Sequence, residues 1–103
     1  MAKSSIEESM RAKIQSNLQP IYFELANESH LHSHHQAMLS VVDKAETHFN
    51  LLIVSNAFAG LSRVDRQRLV SSLFAEERLR GLHALSMQTM TEGEWKKTKI
   101  QNL

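Results

Sequence analysis

Cysteine is missing altogether, proline occurs once and glycine three times in 103 residues. Without cysteine there is no disulfide, and no thiolate to hold a metal or form a covalent intermediate. A soft-metal site in this chain therefore needs histidine, or sulfur lent by a partner. So few prolines and glycines exclude a linker or fibre composition. Gly60, Gly81 and Gly93 also form no Gly-x-x-Gly loop of the kind that clamps a nucleic-acid backbone. Long apolar runs are absent too: the longest, Leu51 to Val54, is strand-sized, far short of a membrane span. No apolar stretch follows Lys3, so the first residues do not read as a signal peptide. Net charge is +1 with histidine neutral, so charge alone implies neither nucleic acid nor an anionic membrane. These absences leave one soluble domain over residues 1–103, expected in the cytoplasm, with no membrane partner. An enzyme reading lacks parts: there is no cysteine nucleophile, no phosphate-cradling glycine loop and no serine in a nucleophile motif, hence no small-molecule substrate.

What is present is patterned. Ile6, Met10, Ile14 and Leu18 recur every four residues behind Ser4 and Ser5, with Glu7 and Glu8 in the first turn, which predicts a capped helix ended before Pro20. Pro20 to Ala26 reads as a strand with Ile21, Phe23 and Leu25 on one face. A long segment from about His30 to Glu46 follows. Within it Met38 to Val42 suits a short helix or a short strand. A loop of that length in a compact domain is usually functional or mobile. Thr47 to Ser55, apolar on both faces, is a central strand. Ser62 and Asp65 open a helix through Val64, Leu69, Val70, Leu73 and Phe74 that breaks near Ala75 and resumes to Leu79. Gly81 is a helix stop, Leu82 to Met90 a third strand, and Thr91 with Glu94 caps a last helix anchored by Trp95.

The order is helix-strand-strand-helix-helix-strand-helix. Two helices linking the second and third strands make a crossover, so those strands should run parallel, while the first two pair antiparallel. The fold class is α+β: a mixed three-stranded sheet with helices on one face. Leu25, Phe49, Leu51, Ile53, Leu73 and Leu85 are the expected core.

Six histidines are many for this length, and His30, His32, His34 and His35 share the long loop. Dense histidine is a metal-binding composition, though a solvated polar loop has the same letters. His83 alternates with Leu85 and Met87, a pattern that by itself reads as a half-buried histidine bonded to backbone. Arg63, Arg66 and Arg68 open the central helix among carboxylates. They form either a solvated face with local ion pairs or a phosphate-contacting face docked in helix-turn-helix manner.

Three segments together resemble the BolA family. These are Asn27-Glu28-Ser29-His30-Leu31-His32; Glu46-Thr47-His48-Phe49 leading into Leu51-Leu52-Ile53-Val54-Ser55, with Phe58 and Gly60 behind; and Val64 to Val70, then Glu76-Glu77, then Leu82-His83-Ala84-Leu85 and Trp95. Each is weak alone, but their order and spacing cover nearly the whole chain. One departure is Arg66-Gln67-Arg68, where the family commonly has Arg-His-Arg.

The resemblance implies a class II KH-like fold. It also implies an adaptor that binds a monothiol glutaredoxin and shares a 2Fe–2S cluster, with glutaredoxin and glutathione giving sulfur and this chain giving histidine. Such a cluster is absent from the isolated chain. Iron–sulfur trafficking or iron sensing follows as the leading function. DNA-binding transcriptional regulation is the alternative, and a stand-alone histidine-loop metal binder a further one. His83 takes the place of the family's most characteristic histidine and cluster ligand. His48 is then mainly structural, supporting the ligands from behind. Two ligands are needed from this chain. His32 follows the Glu-Ser motif, and His35 matches the loop position that ligates in histidine-type members. His35 is favoured over His32 and His34 because it lies further from the strand end. Imidazole in place of thiolate raises the reduction potential, as in Rieske centres, and makes ligation pH-sensitive.

Overall fold

A computed structural model describes residues 5–28 and 48–101. Its first helix, α1, is Ile6–Leu18, capped by the Ser5 hydroxyl on the Glu8 N–H while the Glu8 carboxylate accepts from the Ser5 N–H. Ile6, Met10, Ile14 and Leu18 are its buried residues, the stripe that the four-residue spacing predicts. Gln19 stops the helix in the left-handed conformation (φ 45°) just ahead of Pro20.

Strand β1 is Tyr22–Asn27, so it starts later than the sequence pattern suggests. Ile21 sits in a bend before it and is exposed, and only Phe23 and Leu25 of the expected trio turn inward. Strand β2, His48–Val54, pairs antiparallel with β1 and parallel with β3, Ala84–Met90, giving the order β1-β2-β3. Between β2 and β3 come a single 3-10 turn (Asn56–Phe58), helix α2 (Arg63–Ser72) and helix α3 (Ala75–Leu79). Ser62 caps α2 by accepting from the Asp65 N–H. Helix α4, Glu92–Gln101, follows β3 directly. Thr91 and Glu94 close its first turn reciprocally, side chain to backbone in both directions.

The element order, the mixed sheet and both strand directions agree with expectation. The core lies where α1, α2 and the Asn56–Phe58 turn meet one sheet face: Met10, Ile14, Phe58, Val70 and Phe74 have no exposed surface beside Phe49, Leu51 and Ile53. Of the six residues expected inside, Leu25, Phe49, Leu51 and Ile53 are buried. Leu73 and Leu85 are half-buried at the cluster's margin, and Leu85 lines a cleft beside β3.

Two arginines attend the outer edges of the sheet. Even-numbered residues of β1 turn their backbone towards β2, as the Glu28 N–H to His48 bond shows, so the Leu25 carbonyl points outward, and Arg11 donates to it at 3.0 Å. On the other side the Met90 carbonyl accepts from Ser55, which turns Thr89 outward, and Arg66 donates to the Thr89 carbonyl at 3.2 Å.

Candidate functional site

His83 lies one residue before β3, not within it, and is exposed. Its expected place within the third strand is therefore corrected, and the half-buried alternative does not hold. The chain leaves α3 through Gly81, whose φ of 127° suits only glycine, and the parallel pairing begins at Ala84.

A buried carboxylate holds this turn. The Glu77 side chain is fully buried; Ser9 donates to it and Lys13 Nζ pairs with it at 2.9 Å, while its carbonyl accepts from the Leu82 N–H. Burial by itself pushes the Glu77 carboxyl up, but the hydrogen bonds from Ser9 and Lys13 outweigh it and hold the group below its ordinary value. The Lys13 ammonium is raised in turn, chiefly by its bond to Glu77. Thus α1 grips the end of α3, and Leu82, buried beside Ile6, fixes the residue that presents His83.

Among the described residues, the ring that faces His83 is His48. Parallel register sets His48 opposite Ala84, and the two imidazoles meet edge to face with centroids 5.6 Å apart and planes at 70°. The resemblance casts His48 as support behind the ligands, and the fold sets it against a ring 35 positions away by number (83 less 48). Glu28 and His48, bonded N–H to carbonyl, bracket residues 29–47 at this same end of the sheet. His30, His32, His34, His35 and the Met38 to Val42 stretch fall in that segment and lie outside the described residues.

The three arginines proposed for phosphate contact have unlike surroundings. Arg66 is turned inward, its side chain 12% exposed. It grips Glu94 with both terminal nitrogens (2.7 and 3.0 Å) and donates from Nε to the Leu61 carbonyl at 3.0 Å, besides its bond to Thr89. The Glu94 carboxyl is held at about 2 by Arg66 first and the Thr91 N–H second. Arg63 and Arg68 are exposed, Arg68 with one long contact to Asp65 at 3.4 Å.

A cleft of about 560 Å³ opens between α2, α3 and the start of β3. Arg68, Arg78 and His83 line it together with Val64, Leu82 and Met87. Arg78, one of the arginines at the end of the central helical segment, donates to the Ser71 carbonyl (2.9 Å) and hydroxyl (2.6 Å).

The family profile described as BolA-like protein matches residues 14–94. Among curated relatives, the chain is 44% identical over 86 residues to SufE-like protein 1, chloroplastic/mitochondrial, of Arabidopsis thaliana, covering 82% of this chain and 23% of that protein. It is 44% identical over 85 residues to Protein BOLA1, chloroplastic, of the same plant, covering 82% and 52%. The chain thus spans about a quarter of the length of the first relative and about half of the second. The solved structure of BolA1 from Arabidopsis thaliana superposes with a TM-score of 0.77 at 39% identity, covering 91% of this chain and 98% of that one.

Proposed function

The chain belongs to the BolA-like protein family, and we propose that it acts as a binding adaptor that joins a monothiol glutaredoxin and supplies histidine to a 2Fe–2S cluster held between them. The observation that carries this reading is the exposed His83 imidazole, set edge to face against His48 where residues 29–47 leave and rejoin the sheet.

The donor chemistry fits. A neutral imidazole is a borderline ligand that suits iron, and His83 stands exposed on a braced turn. Among the described residues no three histidine, aspartate or glutamate side chains lie close enough to hold a metal. A cluster here therefore takes its remaining ligands from His32, His34 or His35, with His35 favoured, and from glutaredoxin and its glutathione. The cluster supplies electron or iron–sulfur transfer. This chain's own part is to present an imidazole nitrogen from an exposed side chain on a braced turn. No catalytic role is assigned to any residue.

The test is anaerobic co-purification with a monothiol glutaredoxin, followed by visible absorption and circular dichroism. A stable complex with a cluster spectrum unlike that of glutaredoxin alone is expected. Single alanine substitutions at His32, His34, His35 and His83 then rank the ligands. His83→Ala should change the spectrum most and His35→Ala next. A spectrum indifferent to His83 would sink the reading.

DNA binding remains the second reading, favoured by the exposure of Arg63 and Arg68. It has to do without Arg66, whose guanidinium is spent inside the molecule.

A further inference from the structure

The cleft beside β3 runs along an open sheet edge. Strand alternation turns the backbone of Leu85, Met87 and Thr89 outward, away from β2. Arg66 occupies the Thr89 carbonyl. Among the described residues nothing bonds the backbone of Leu85 or Met87 on that side, and both line the cleft. The facing wall is one side of α2, Val64, Gln67, Arg68 and Ser71, at helical spacing, continued by Arg78. The lining holds two arginines and a histidine and no carboxylate.

We infer that this cleft receives an extended peptide with acidic residues at alternate positions, which adds to β3 as a fourth strand. The added strand bonds its backbone to Leu85 and Met87, two sites about 7 Å apart at the usual strand rise. Its period of two sends every second side chain to the helix side of the sheet, where Arg68 and Arg78 line the cleft. Carboxylates there gain charge-assisted hydrogen bonds. Arg68 is open to pair, with its side chain 77% exposed. A nucleic-acid strand is the lesser fit, because the cleft is lined by no phenylalanine, tyrosine or tryptophan and offers a base a single imidazole, His83, to stack on. The inference uses neither glutaredoxin nor a cluster, so it stands or falls separately from the proposed function.

The probe is a blocked hexapeptide alternating threonine and glutamate, titrated into the isotope-labelled chain. The peptide should slow amide exchange at Leu85 and Met87, and raising salt should weaken it. Arg68→Glu, a surface change remote from the core, should weaken binding about tenfold, the worth of one charge-assisted bond. The same peptide N-methylated at alternate residues, and so unable to form a ladder, should not bind. The inference is overturned if the hexapeptide fails to bind, if Leu85 and Met87 stay unprotected, if the N-methylated peptide binds equally, or if a six-nucleotide single strand binds more tightly at equal salt.

Discussion

Where β2 and β3 finish, at Val54 and Met90, the sheet is closed by other groups. Trp95 stacks on Tyr22 with centroids 5.1 Å apart, Lys99 lies 4.1 Å over the Trp95 ring, and Arg66 clamps Glu94 to the carbonyls of Leu61 and Thr89. Where the same strands start, at His48 and Ala84, two imidazoles face each other, one of them exposed. At the closed end the Arg66 cation is consumed in holding the fold, whereas at the other the exposed His83 imidazole stands on a turn that Lys13 and Glu77 brace from beneath. A charged or titratable residue becomes available for binding when its local partners are missing, and that depends on contacts far along the chain.

The largest expected effect probes the support beneath the histidine end. Glu77→Ala strips the buried partner of Ser9 and Lys13, and such a loss costs about 3 kcal/mol. Urea denaturation reads the stability. Ring-proton shifts should show His48 and His83 separating while Tyr22 and Trp95 stay stacked. Equal disturbance at both ends would erase the distinction between them.

Arg66→Ala comes next, at about 2 kcal/mol, because it leaves Glu94 and two carbonyls without their donor. Arg68→Ala, three-quarters exposed, should stay within about 0.5 kcal/mol. If the two substitutions cost the same, Arg66 is not the clamp described.

The smallest effect is acid sensitivity at the closed end. Glu94 titrates at about 2 in the folded chain against an ordinary 4.5. Its lowered value means that its contribution is complete above about pH 4.5 and is lost as the pH falls towards about 2. Exposure of the Glu94 side chain, 46%, screens the pair and keeps the effect modest. Trp95 fluorescence should drift through that window, and Glu94→Gln should flatten the drift. A drift unchanged in Glu94→Gln would assign it to another group.

What was legible in the sequence was local. The Ile6 to Leu18 stripe, the caps at Ser5, Ser62 and Thr91, and the break between α2 and α3 each rest on residues within a turn or two of one another. The parallel pairing followed from the crossover, a matter of element order. What escaped were the fates of single charges. Arg66 meets a carboxylate 28 positions on, and Glu77 meets Ser9 across 68. No pattern in Arg66-Gln67-Arg68 tells the inward arginine from the outward one, since the helix phase that separates them acts only once the sheet stands beside it. The approach of His48 to His83 is likewise a product of register.

Arg11 gives one more consequence. It is held by Glu7 at 3.0 Å and lies over the Phe23 ring while donating to the middle outward carbonyl of β1. A molecule with two free sheet edges can join its neighbours without end, each copy offering what the next requires. An arginine on one outward carbonyl of each edge strand, Leu25 on β1 and Thr89 on β3, withholds that acceptor from a neighbouring copy and so works against growth from either edge.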